Sequence, residues 1–418
     1  MIDQAASHTP PRPATPGAPA DGPVRPRIAL AHDWLCGYRG GVAVLVVLIV
    51  VFFNDSEITE IYTMFADGRP LTSAIDALPR RVSPVGRLPA ANRLRRWMLP
   101  LYPAAVASLS RTHAADHART PIDLVLSTSS AAIKGLRPPA GVPHLCYIHA
   151  PARYLWSLTA EYGRAGPMHR LGLAAFGPAL RNWDRATAAN VTNFLANSTH
   201  TAAEVDRCYG RGSIVLHPPV DTEFFTPPPP GRPRSGWLIA SALEPYKRID
   251  LAIAAARAAG EHLTIIGGGS EGARLRRLAA PGIEFRGRVS REELRAAYQS
   301  ARLFLFPQIE DFGIAAVEAL ACGTPVAAFA AGGALDILGG DTARTGVLIN
   351  STDPAAFAAA ARGGPDADDP AVSAACRAAA ERFSRPRFIE AARRAIEQSL
   401  GAGRREVAES ARRPEPAG

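Results

Sequence analysis

Short apolar runs of three to five residues, each followed by a longer stretch with helical spacing, recur along most of this chain. In the first half they fall at 27–31, 123–126, 144–148, 193–196 and 214–216. In the second half they fall at 237–240, 263–266, 283–285, 303–306, 326–329 and 347–349. A near-continuous apolar run bounded by turn residues reads as a strand buried on both faces, the condition of a parallel sheet. Between the later runs, the alanine-rich stretches 251–258, 292–300 and 315–321 read as helices. The alternation predicts an α/β chain of doubly wound parallel sheets rather than a sandwich or a helical bundle.

The pattern is interrupted at 226–234, TPPPPGRPR, where four consecutive prolines enforce an extended segment that suits neither a helix nor a central strand. We therefore expect a first domain over 27–225, a linker over 226–235 and a second domain over 236–385. A closing helix at 386–403 is expected to pack back towards the first domain. Two doubly wound domains joined by a proline hinge leave a cleft, and ligands of such sheets sit beyond the carboxyl ends of the strands. The first 26 residues carry seven prolines and no apolar centre, and 404–418 is polar, so both ends read as disordered tails without an export signal.

With 418 residues there is room for two or three cores. Five scattered cysteines without a CxxC pair exclude a zinc knuckle or a disulfide framework and point to a reducing, cytoplasmic compartment. The longest unbroken apolar run, VAVLVVLIVVFF at 42–53, has 12 residues against the roughly 20 that a membrane span needs, and reads as a buried helix or strand. A net charge of +9 asks for an anionic partner. Without a recognisable RNA- or DNA-binding motif, nucleic acid is the weaker choice.

The densest chemistry lies at 303–325, LFLFPQIEDFGIAAVEALACGTP. A strand ends at Pro307, a loop holds Glu310, and a helix opens after Gly313, carries Glu318, and is closed by Gly323 and Pro325. Two carboxylates and the free amides of Gly313 and Ile314 at one helix mouth suit a polyhydroxylated, phosphorylated ligand. An ordinary solvated loop with a capping glutamate fits the same spacing.

In EDFGIAAVEALACGTPV, Glu310-x7-Glu318 resembles the signature of the retaining, nucleotide-sugar-dependent glycosyltransferases of family 4. SALEPYKRIDLAI (241–253), IGGGSEGARLRRLA (266–279), FRGRVSREELRAAY (285–298), ANSTHTAAEV (196–205) and LHPPVDTEFF (216–225) follow the family's order. AHDWLCGYRGG (31–41) and HLCYIHAPARYLW (144–156) resemble its O-antigen mannosyltransferase branch, and the likeness covers about 27–400. It implies the GT-B architecture, two Rossmann-like domains facing across a cleft, and transfer of a hexose, mannose from GDP-mannose first, to a lipid-linked saccharide. It further implies that Lys247 neutralises the donor diphosphate, that Glu310 accepts from hydroxyls of the transferred sugar, and that Glu318 grips the ribose. Phe312, Gly313 and Ile314 would line the donor, Arg288 and Val289 would meet the base, and His149 would lie near the anomeric centre. Gly40 and Gly41 would let backbone amides approach phosphate or acceptor.

The chain departs from that pattern at Ala242, where the family carries an arginine beside the lysine, leaving Arg248 or Arg288 to substitute or donor binding weaker. Val42 and Ala43 replace the Glu-Lys pair usual after the glycines. A catalytically weak, glycosyltransferase-like binding subunit is therefore a rival. GGGSEG (267–272) fits GxGxxG and keeps a dinucleotide-dependent oxidoreductase or epimerase in view, although Arg286 stands where a ribose-binding acid would be expected. Asp366-Ala367-Asp368 fits a metal-binding DxD but lies in the loop-like GGPDADDP, so neither a metal nor a cofactor is expected besides the nucleotide sugar as co-substrate. Finally, 80–102 carries Arg80, Arg81, Arg87, Arg93, Arg95 and Arg96 beside Trp97 and no acid. That mixture fits a solvated basic face, but since enzymes similar to this chain act on lipid-linked acceptors, peripheral contact with the anionic inner leaflet is the expectation.

Overall fold

The computed structural model describes residues 25–37, 40–52, 56–95, 97–159, 166–340 and 342–410. The tail expected at 1–26 lies outside them as far as residue 24, as do Arg96 and 411–418.

Two parallel sheets organise the chain. The first contains β1 (Arg27–Leu35), β2 (Glu57–Ala66), β3 (Arg80–Val82), β4 (Leu124–Ser129), β5 (His144–Ile148), β6 (Asn193–Ala196) and β7 (Ser213–Val215), in the order β3-β2-β1-β4-β5-β6-β7. Ile28 of β1 is in register with Ile58 of β2 on one side and Leu124 of β4 on the other. The second contains β8 (Trp237–Ala240), β9 (Leu263–Ile266), β10 (Ile283–Gly287), β11 (Leu303–Phe306), β12 (Val326–Phe329) and β13 (Gly346–Ile349), in the order β10-β9-β8-β11-β12-β13. All its neighbouring strands pair in parallel. Both orders reverse beside their first strand, which is the doubly wound, Rossmann-like arrangement the apolar runs predict. The 42–53 run is a helix, Gly40–Phe52.

The described residues form two compact units, one within Met1–Tyr147, Ala175–Asn193 and Arg393–Gly418, the other within Ile148–Ala174 and Phe194–Ala392. The chain thus passes between units at 147/148, 174/175, 193/194 and 392/393, and residues 226–235 lie within the second unit. Residues 226–235 carry neither helix nor strand, but they are not a free tether. Arg234 is buried and donates to the Thr324 hydroxyl at 2.5 Å and the Cys322 carbonyl at 3.0 Å. It thereby satisfies the carboxyl end of the Ile314–Ala321 helix. The closing helix is longer than expected, Arg385–Ser410, so the segment from 404 to 410 is helical rather than tail. Within the first unit, Asn193 Nδ2 on β6 donates to Ser399 Oγ of that helix at 3.2 Å.

At the reversal point of the first sheet, between β1 and β4, the chain fills its own anion niche. The buried Asp33 carboxylate accepts from the amides of Ser130, Ala131, Ala132 and Ile133 at 2.6–2.9 Å. Beside it, His32 Nδ1 lies 2.5 Å from the Thr128 hydroxyl, and burial pulls its pKa down. Deeper in this unit Lys134 and Asp184, each about 1% exposed, form an ion pair at 2.9 Å. Removing either partner of such a pair would leave an uncompensated buried charge.

Candidate active site

In the second sheet the reversal lies between β8 and β11, so the loops leaving those two strands are brought side by side. The loop after β8 runs into a short 3-10 turn, Pro245–Lys247, and a helix, Ile249–Ala259. The loop after β11 carries Glu310 and Asp311 and opens the Ile314–Ala321 helix at Gly313. Gly313 has φ +114°, and a Cβ there would stand 2.5 Å from the Phe306 ring, so only glycine permits this entry into the helix.

The two loops meet in ion pairs. Lys247 Nζ contacts the Glu310 carboxylate, and Arg153, on the segment after β5, contacts the Asp311 carboxylate. All four residues belong to the second unit. Burial and the neighbouring positive charge of Arg153 bring the Lys247 ammonium down to about 7. Glu318 lies within the helix that Gly313 opens, accepting from the Tyr298 hydroxyl at 3.0 Å. Burial pushes its carboxyl up to about 7. The site combines two ion pairs, a helix N-terminus and the half-buried Glu318 carboxyl, which suits a ligand with both phosphates and hydroxyls.

The other residues singled out in the sequence separate. His149 is half-buried directly after β5, its carbonyl accepting from Asn197 Nδ2 at 2.9 Å. Arg248 has φ +51° and pairs with Asp250 at 3.4 Å. Arg288 is exposed and lies along Gly268, and Val289 packs on the core. Phe312 is a core residue, 3% exposed and stacked on His217 at 5.5 Å, so its ring is not presented to a ligand. Gly40 and Gly41 open the first helix, in the other unit. Arg153 and Asp311 were not marked by the sequence. The signal available was their adjacency to marked residues, Asp311 beside Glu310 and Arg153 four places after His149.

The competing motifs receive structural explanations. In GGGSEG, a Cβ on Gly267 would meet the Ser241 carbonyl oxygen at 1.9 Å, so this glycine serves close packing of two loops. Asp366 accepts from the Asp368 amide, and Asp368 accepts from the Arg234 amide, each at 3.1 Å, which commits both to a turn. Among the described residues, no three His, Cys, Asp or Glu side chains gather to hold a metal ion. No described helix is long and apolar enough to cross a membrane.

Fold and geometry together define a two-unit α/β protein with a cluster of ion-paired side chains at the reversal point of its second sheet. Residues 26–224 match the family described as Glycosyltransferase Family 4, and 235–363 match Glycosyl transferases group 1. The chain belongs to glycosyltransferase family 4 and has the GT-B fold. It is 34% identical over 231 residues to a D-inositol 3-phosphate glycosyltransferase of Streptomyces avermitilis, covering 47% of this chain and 48% of that one. It is 30% identical over 250 residues to a GDP-mannose-dependent alpha-(1-6)-phosphatidylinositol monomannoside mannosyltransferase of Mycolicibacterium smegmatis, covering 52% and 64%. The chain thus spans from about half to just under two thirds of the length of these relatives. Sucrose-phosphate synthase from Thermosynechococcus elongatus superimposes with TM-score 0.68 at 20% identity, over 90% of this chain and all of that one. Anabaena HepE, solved with UDP and glucose, gives TM-score 0.62 at 17% identity, over 88% and 99%.

Proposed function

We propose that this chain is a retaining glycosyltransferase that moves a hexose, mannose from GDP-mannose first, from a nucleotide diphosphate sugar to a lipid-linked saccharide of surface-polysaccharide assembly, at the cytoplasmic face of the membrane. The observation that carries the reading is the Lys247–Glu310 ion pair at the mouth of the helix holding Glu318. The GDP-mannose dependence of the mycobacterial relative supports mannose, and the UDP and glucose bound by HepE support a nucleotide-sugar donor.

In this reading Lys247 meets the diphosphate, where charge grows as the bond to the sugar breaks. Glu310 accepts from sugar hydroxyls, Glu318 from the ribose, and the Gly313 and Ile314 amides face sugar or phosphate. Arg288 and Val289 border the base, His149 lies near the anomeric centre, and the Gly40 and Gly41 amides approach phosphate or acceptor. The leaving diphosphate takes the acceptor's proton as the new bond forms on the same face of the sugar, so no side chain is needed as a strong base. Neither a metal nor a cofactor takes part.

The test is nucleotide release from GDP-mannose, UDP-glucose, UDP-galactose and UDP-N-acetylglucosamine, with membrane extract as acceptor. One donor should be turned over, and Glu310→Ala should lower that rate at least a hundredfold. Folded protein that binds nucleotide but releases nothing from any donor would favour the binding-subunit reading.

A further inference from the structure

At the end of β11, consecutive carboxylates hold two cations: Glu310 holds Lys247 and Asp311 holds Arg153. The two cations are thus brought to the same loop by adjacent residues of the chain. Their side chains are 15% and 31% exposed, so both are partly withdrawn from water. Two like charges held together in such a place attract a multivalent anion. A nucleoside diphosphate carries two to three negative charges, more than one ammonium already shared with Glu310 can balance. Of the two arginines that the sequence offers as substitutes, Arg248 pairs with Asp250 at 3.4 Å and Arg288 is exposed, and among the described residues neither makes an ion pair with Glu310 or Asp311.

We propose that Arg153 is the second cationic ligand of the donor's diphosphate, and that Asp311 holds its guanidinium in place when no donor is bound. This rests on the reading of the second unit's site as a nucleotide-sugar site. The planar fork of a guanidinium takes two phosphate oxygens at once, which a lysine at the same place cannot do. Asp311 competes with the phosphate for that fork, so Asp311 sets the affinity from the opposite side.

The experiment is calorimetry of the full chain with GDP, GMP, UDP and UMP, comparing wild type with Arg153→Ala, Arg153→Lys, Asp311→Asn and Lys247→Ala. With the preferred base, Arg153→Ala should weaken diphosphate binding about 10- to 100-fold, the usual range for a charge-assisted hydrogen bond, and monophosphate binding by less than about threefold. Arg153→Lys should restore part of the loss, and Asp311→Asn should tighten diphosphate binding a few-fold. The alkaline limit of diphosphate binding should move to higher pH in Arg153→Ala, because Lys247 loses a like-charged neighbour. Equal losses for mono- and diphosphate, or an unmoved alkaline limit, would overturn the proposal. If Lys247→Ala abolishes diphosphate binding while Arg153→Ala changes nothing, the site reading survives and the role of Arg153 does not. If neither variant matters, the site reading falls and the proposal with it. Should Arg153→Ala fail to fold, Asp311→Asn decides, since weaker or unchanged diphosphate binding there contradicts competition for the guanidinium.

Discussion

Glu318 is a carboxyl group placed where its charge is unwelcome until a ligand arrives. It is held by the Tyr298 hydroxyl, and its pKa rises from 4.5 to about 7 because burial disfavours the ion. Between those values the folded protein keeps a proton that the unfolded chain has lost. The stability linked to this proton is complete below about 4.5 and is lost as pH rises through about 7, a change on the order of 3 kcal/mol. Glu318→Gln should therefore lose less stability than wild type between pH 5 and pH 8 in urea titrations, while binding nucleotide more weakly at both. Parallel stability profiles for the two proteins would contradict this environment for Glu318. Lys247, Glu310 and Glu318 were legible in the sequence because their motifs are local, a run of a few residues around each strand end. The pairing of Arg153 with Asp311 was not legible, because residues far apart in the chain meet only through the fold. The inward turn of the Phe312 ring was not legible for a related reason: a motif marks a residue without telling which way its side chain turns.

At the level of elements, the second sheet could be read almost residue by residue, because its strands are short and most are continuous apolar runs, β10 with its exposed Glu284 and Arg286 being the exception. The first sheet was read less completely. In β2, Glu57 and Glu60 break the apolar run in its outer half, and only Ile61–Phe65 is buried; β3, RRV, is too short and too basic to stand out. The same logic explains why the Ile314–Ala321 helix was found: its start and stop are set by glycines whose conformations other residues avoid. Gly313→Ala tests this directly. A methyl group would press on Phe306 and force a residue with a Cβ to φ +114°, costing about 1–3 kcal/mol. The thermal midpoint should fall by several degrees, and nucleotide affinity should fall further than stability alone accounts for, since the helix mouth itself moves. Unchanged affinity in a folded Gly313→Ala protein would show that the amides at this helix start do not touch the ligand.

At the scale of the whole molecule, the excess positive charge has to be divided between arginines that serve the fold and arginines left for a partner. Among those in 80–102, Arg80 pairs with Asp76, Arg81 pairs with Glu60 and with Asp116 at 2.6 and 3.0 Å, and Arg95 lies over the Trp34 ring at 5.7 Å. These three are largely structural, which reduces the basic face that composition alone suggests. Arg87 and Arg93 remain exposed, and the same stretch exposes Leu88, Leu94, Trp97 and Leu101 at 42–51%. Exposed arginines among exposed leucines and a tryptophan form the combination that enters the headgroup region of an anionic bilayer. If this face meets the membrane that carries a lipid-linked acceptor, the full chain should sediment with phosphatidylglycerol vesicles at low salt and much less with phosphatidylcholine. Trp97 fluorescence should shift to the blue on binding. Each arginine near the surface contributes about 1 kcal/mol, so Arg87→Gln with Arg93→Gln should weaken binding by roughly 30-fold, and Trp97→Ala should weaken it without changing the salt dependence. Equal binding to neutral and anionic vesicles, or no effect of the double substitution, would assign these residues to a solvated face.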